Sequence, residues 1–254
     1  MQIVMPMAGE GRRFSQQGYR LPKPLLPVGA MPMVARVIAD LPAAERVVLI
    51  MRNEHLREHD IAQQVLAHVP GGRIIAIDGL TAGQACTVRV AEPALDPAAP
   101  TLVAACDSSQ LFDPGAFDRA VAGGADCLIW TFRGDTRISV DPSAWGWVEV
   151  HADGIQARRV SCKQTISAAP LNDHAVTGFF WFRSARLMYD AIDRMVQRDQ
   201  RVNGEFYMDL VPNLLIEMGC RVEVFAVEKY IGWGTPHDYE DFLAWERYCA
   251  RLRR

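Results

Sequence analysis

Short continuous apolar runs, separated by polar stretches with helical spacing, fill the first half of the chain. QIVMPM, RVVLIM, RIIAI, TLVAACD and DCLIWTF have strand length and no alternation, the pattern of strands buried on both faces. Between them, PMVARVIADL, the stretch from Glu54 to Leu66, GQACTVRVAEPAL and DPGAFDRAVAGG carry apolar residues at helical intervals. The alternation predicts βαβ units and an α/β fold built on a doubly wound, mainly parallel central sheet.

After about residue 135 the texture changes. WGWVEV and GIQARRV predict a hairpin turning at Asp153-Gly154, and HAVTGFFWF predicts a further strand. SARLMYDAIDRMVQRD, MDLVPNLLIEMG and DYEDFLAWERYCARLRR read as helices, with VEVFAV as a strand among them. Neither a low-complexity linker nor an internal repeat interrupts this order. The expectation is a single domain over 1–254, with a first half to about 135 and an α+β half from about 136 folded onto it.

The segment after the first strand carries the chemistry. QIVMPM stops at Ala8 and is followed by Gly9, Gly11, Arg12 and Arg13, then by Lys23 between Pro22 and Pro24. A strand, a glycine turn and a helix bring backbone N–H groups up to a phosphate. A Walker A loop would need Gly-Lys-Ser/Thr, and a dinucleotide fingerprint would need a glycine where Phe14 stands. The glycines alone are compatible with a simple chain reversal. Two cations at fixed spacing, one stiffened by flanking prolines, point instead to neutralisation of phosphate charge.

Composition narrows the partners. Half of the 254 residues are hydrophobic and the formal net charge is −3, so any basic groups of consequence are placed locally. No Lys/Arg run suggests nucleic acid, and no run approaches the ~20 apolar residues of a membrane span. Six scattered cysteines without a CxxC pair read as reduced thiols, which predicts a cytoplasmic protein.

From Gly9 to Met33, G-x-G-x-R-F…P-K-P-L-L-P-V-x-x-x-P-M resembles the signature of the sugar-nucleotide pyrophosphorylases, nucleotidyltransferases of the GT-A-like fold. The resemblance implies Mg²⁺-dependent joining of a nucleoside triphosphate to a phosphorylated small molecule, with release of pyrophosphate. It places Ala8, Gly9 and Gly11 at the nucleotide and gives Arg13 and Lys23 its phosphates. Gly83, Gln84 and Thr87 of GLTAGQACTV then face the base and ribose. Asp107 of LVAACDSS, expected at a strand end, corresponds to a metal ligand; the residues alone equally allow a turn-capping Asp beside Ser108 and Ser109.

On the acceptor side the resemblance assigns Gly146, Lys163, Thr177 and Gly178, with Lys163 pairing with the acceptor phosphate. Two positions depart from the pattern. Cys162 stands where many members have a sugar-binding glutamate, and Gly232 where many have a second metal-binding Asp. NGEFYMD offers Glu205 and Asp209 as replacements, and Glu205 is expected at the acceptor. NGEFY itself resembles small single-domain members of bacterial surface-polysaccharide clusters, some with non-sugar acceptors; from that subgroup comes the expectation of CTP or UTP. Of the tryptophans, Trp233 alone is expected to wall the acceptor site.

His55 and His59, four apart, lack a third ligand and read as a solvated helix face. The RYCARLRR end reads as a helix C-terminus complementing its dipole. Two other classes stay open. A glycosyltransferase of the same fold would need the second acidic residue that Asp107-Ser108-Ser109 lacks, and a silent nucleotide-binding subunit would fit Gly232. Nothing in the sequence fixes the oligomeric state, though closed homo-oligomers are common for enzymes of this kind.

Overall fold

The computed structural model describes residues 1–252, apart from the side chains of 58 and 59; Arg253 and Arg254 of the C-terminal motif, and the His59 side chain, lie outside the described residues. One nine-stranded sheet runs through both halves of the chain. Its strands are β1 (Gln2–Pro6), β2 (Arg46–Arg52), β3 (Arg73–Ile77), β4 (Thr101–Val103), β6 (Cys127–Phe132), β7 (Gly146–Val150), β8 (Ala157–Cys162), β9 (His174–Phe182) and β10 (Val222–Ala226). Outside it, β5 (Ser108–Leu111) pairs with β11 (Lys229–Gly232).

β1 lies parallel between β2 and β4, and β2 is parallel to β3. Because the chain goes from β1 to β2 and β3 on one side and returns to β4 on the other, the strand order reverses between β1 and β4. In open α/β sheets the crevice at such a switch, beyond the carboxyl ends of the strands, is where ligands bind. Ile3 and Met5 face one core cluster and Val4 the other, which is why the run shows no alternation.

The sheet is mixed rather than parallel throughout. β9 inserts antiparallel between β4 and β6, pairing Phe182 with both Thr101 and Cys127, and β10 then adds parallel to β6. β9 also bends: its register shifts between Val176 and Phe180, so that its start pairs with β7 while its end pairs with β4. Thr177 and Gly178 form this bulge, with Gly178 at φ +88°. The expected hairpin is β7–β8, paired antiparallel.

Two differences from the sequence reading bear on the site. β4 ends at Val103, so Asp107 sits beyond the strand end and immediately before β5. Expectation put no strand at 108–111, because SSQL is polar; yet Ser108, Ser109 and Gln110 are buried under β11. Second, Glu54 to Leu66 is two helices, Asn53–His59 and Ile61–Leu66, broken at Asp60 with φ +48°.

Candidate active site

β1 delivers Ala8 to Gly11 to the crevice. Gly11 takes φ +63° and ψ 22°, a left-handed conformation that costs glycine little, and so turns the chain into the one-turn helix Arg12–Ser15. Lys23 opens a 3₁₀ turn, Lys23–Leu25, between its two prolines. Its Nζ donates to Asp107 Oδ2 at 2.6 Å. Burial alone would lower the Lys23 pKa, but the Asp107 carboxylate outweighs it and the ammonium is held charged. The loop after β1 and the loop after β4 thus meet through one ion pair.

Three adjoining cavities form the cleft. One of about 440 Å³ holds Gly9, Gly11, Lys23, Gln84 and Asp107. A second, about 330 Å³, extends it past Ala8, Gly83, Thr87 and Glu205. On the other side of Lys23 and Asp107 a third, about 490 Å³, is lined by Arg13, Trp145, Tyr230 and Thr235.

Gly83 cannot be replaced without moving its neighbour. It has φ +134°, and a Cβ there would run into the backbone N and O of Phe206. The approach is close because Ala85 N–H donates to Phe206 O at 3.0 Å and Phe206 N–H to Ala82 O at 2.9 Å. This exchange draws Glu205 to the cavity of Gly83, Gln84 and Thr87, while its carboxylate also meets the hydroxyl of Tyr207, whose ring lies beside Lys163.

The other expected acceptor residues divide. Gly146 ends against a carboxylate: a Cβ there would meet Asp209 Oδ2 and, at 3.2 Å, Val176 Cγ2. Asp209 is hydrogen-bonded with the buried Cys162 thiol and lies near Lys163. Burial raises the Asp209 carboxyl to about 6, against the pull of Lys163, and pushes the Cys162 thiol up to about 12. Lys163 holds a left-handed φ of +60°, and its Nζ lies 5.2 Å from the Tyr207 ring centroid. Asp209 therefore belongs with Gly146, Cys162 and Lys163 rather than beside Asp107. Thr177 is buried, its hydroxyl donating to Trp130 O at 3.1 Å, and Gly178 packs against Ala105, itself a cleft residue.

Trp233 corrects the expectation of an acceptor wall. It is 1% exposed and packs edge-on against Phe242 at 5.3 Å, because its backbone N–H is tied to Asp107 O at 2.8 Å and its ring turns inward. Trp145 and Tyr230, 5.4 Å apart, line the cavity instead. Sequence reading ranked Trp145 with the core tryptophans; its position just before Gly146 was the one available signal.

Gly232 pairs with Ser108, next to Asp107. The space a side chain at 232 would use is already filled: a Cβ would lie 2.6 Å from Tyr230 Cε1 and 3.1 Å from an Arg137 guanidinium nitrogen. Arg137 is fixed there by Asp135 and by the Tyr230 carbonyl, at 2.7 Å each. Among the described residues no group of three or more His, Cys, Asp or Glu could hold a metal ion. One carboxylate, Asp107, facing room for phosphates still fits Mg²⁺, which keeps waters and is shared with substrate oxygens.

Residues 3–201 match the model of the MobA-like NTP transferase domain. The chain belongs to that family. Among curated relatives, the bifunctional protein GlmU of Burkholderia multivorans is 30% identical over 242 residues, which is 92% of this chain and 48% of that protein. The CMP-5'-(3-aminopropyl)phosphonate synthase of Streptomyces rubellomurinus is 25% identical over 217 residues, 82% of this chain and 32% of that protein. This NTP transferase domain thus spans about half the length, or less, of these curated relatives. In fold it resembles a nucleoside-diphosphate-sugar pyrophosphorylase from Vibrio cholerae, with TM-score 0.74, 23% identity and coverage of 95% and 99% of the two chains. The inositol-1-phosphate CTP transferase from T. maritima superposes with TM-score 0.70 at 16% identity, covering 93% and 90%.

Proposed function

We propose that the protein transfers a nucleotidyl group from a nucleoside triphosphate to a phosphorylated small molecule, releasing pyrophosphate. The observation that carries this is the Lys23–Asp107 pair at 2.6 Å, lying where the cavity of Gly9, Gly11 and Gln84 meets that of Arg13 and Trp145. An oxygen of the acceptor phosphate attacks the α-phosphorus in line. As that P–O bond forms, the bond from the α-phosphorus to the bridging oxygen breaks, and pyrophosphate leaves with the electron pair. The attacking oxygen is already anionic, so no general base is needed.

Lys23 leaves Asp107 for the phosphates, and with Arg13 it offsets charge developing at the α- and β-phosphoryl oxygens. Bound by Asp107, Mg²⁺ would supply electrostatic stabilisation shared between nucleotide and acceptor. Lys163 orients the incoming phosphate, while the Gly83 turn and Gln84 receive the nucleoside. CTP or UTP is the nucleotide of this proposal, supported by a relative and a fold neighbour named for CMP and CTP products or substrates. Surface-polysaccharide precursor synthesis in the cytoplasm completes the reading; among the described residues no helix is long and apolar enough to cross a membrane.

Pyrophosphate release with Mg²⁺ tests it, crossing ATP, CTP, GTP and UTP with sugar 1-phosphates, glycerol phosphate, phosphocholine and phosphorylated amides. Turnover of one pair, reduced on the order of 10³-fold in Asp107→Ala, is expected. Nucleotide binding without turnover of any pair would favour the binding-subunit reading instead.

A further inference from the structure

The C-terminal helix, Pro236–Leu252, buries apolar side chains on the body only through its first half, beyond which, among the described residues, Glu246 alone reaches back towards Gly29. Pro236 and Tyr239 are buried and Phe242 and Leu243 half-buried, but every residue from Ala244 to Leu252 is exposed. An isolated helical segment of fewer than ~12–15 residues is marginal in water, and most helices are held by packing one face. On the side away from the body, Asp241, Trp245, Tyr248 and Leu252 fall on one line at i, i+4, i+7 and i+11. Trp245 is 61% exposed, Tyr248 53% and Leu252 69%, the first two in edge contact at 6.0 Å. Large aromatics gathered this way on a surface mark an interface.

Charge selects the occupant. Asp241 stands at one end of the line and Arg251 beside its other end, and neither makes an ion pair among the described residues. In an antiparallel pair of identical helices, the register that sets Trp245 against Tyr248 also sets Asp241 against the second copy's last turn, beside its Arg251. The stripe is self-complementary under a two-fold axis, as an isologous contact requires. We infer that this helix pairs antiparallel with a second copy of the chain, through Trp245, Tyr248 and Leu252, and is flanked by Asp241–Arg251 ion pairs.

The test is molar mass by light scattering and sedimentation across a dilution series, with circular dichroism to verify folding. Expected for the unaltered chain is a mass near twice 28.3 kDa. Trp245→Glu, at an exposed position, should stay folded and return the mass to that of one chain. Asp241→Arg and Arg251→Asp should each shift the equilibrium towards monomer, and the double variant should restore the dimer. A monomer at every concentration overturns the inference. So does a dimer indifferent to Trp245→Glu, or reversals that the double variant does not rescue.

Discussion

The two ends of the cleft are built by different means. The end that holds Gly9, Gly11 and Lys23 is a single short stretch of chain, joined by the Gly83 turn, and its shape around the Lys23 side chain is set by backbone conformations that only glycine adopts without strain. The end that holds Gly146, Cys162, Lys163 and Asp209 is collected from separate strands and from the segment after Phe206, and it works through side chains. A glycine turn leaves its trace in the sequence as a motif. A side-chain cluster does not, so the same chemistry can be carried by a residue from elsewhere. At position 162 a carboxylate is missing from the pattern, yet Asp209 brings one to within a hydrogen bond of the Cys162 thiol.

The sharpest way to break this contrast is Gly83→Ala. Its Cβ meets both the backbone N and the carbonyl O of Phe206 and its φ is +134°, so strain and displacement combine. A loss of about 3 kcal/mol or more is expected, read as a fall in Tm, together with weakened nucleotide binding. Wild-type stability with unchanged nucleotide affinity would mean that the turn is not the rigid element described.

Asp209→Asn probes the other end. The folded-state carboxyl is raised from 3.8 to about 6, so its contribution to stability is fully present below pH 3.8 and lost as pH rises through 6. The amide removes that slope and should stabilise the protein above pH 6 by about 1–3 kcal/mol, in chemical denaturation, while impairing acceptor use more than nucleotide binding. His174, lowered by burial to about 4, has the opposite sign: its contribution is present above 6.5 and lost as pH falls through 4. In the variant the acid limb left by His174 should therefore stand alone and appear steeper between pH 4 and 6.

Glu205→Gln is the mildest test and the one that assigns the residue to an end. Beside Gly83 and Thr87, it should raise KM for the nucleotide by about 5-fold, the scale of one weakened hydrogen bond, and change KM for the acceptor less, because it reaches Lys163 only through Tyr207. The reverse pattern would return Glu205 to the acceptor, where the sequence alone had put it.

Legibility followed the same divide. The buried strands β1, β2, β4 and β6, the glycine turn and the proline-flanked Lys23 were all visible, since burial on both faces and left-handed φ each restrict composition locally. Asp107 was visible as chemistry but misplaced, because a polar run such as SSQL gives no sign that another strand will cover it. Trp145 and Trp233 exchanged roles for a related reason: side-chain direction depends on which backbone group each neighbour ties down.

By itself the sequence determined the run of strands and helices and the turn at Gly11, which depend on interactions within a few residues, and it displayed Arg13 and Lys23 as candidate cations, although the ion pair to Asp107 that holds Lys23 is a long-range contact. The tertiary structure decided that β9 would enter between β4 and β6 and make the sheet mixed, that β11 would bring Gly232 to Ser108, and that Asp209 would reach Gly146. Those outcomes join residues tens to more than a hundred positions apart. Hydrophobic periodicity reports only whether a position is buried; which distant strand or side chain buries it is settled by the packing of the whole sheet.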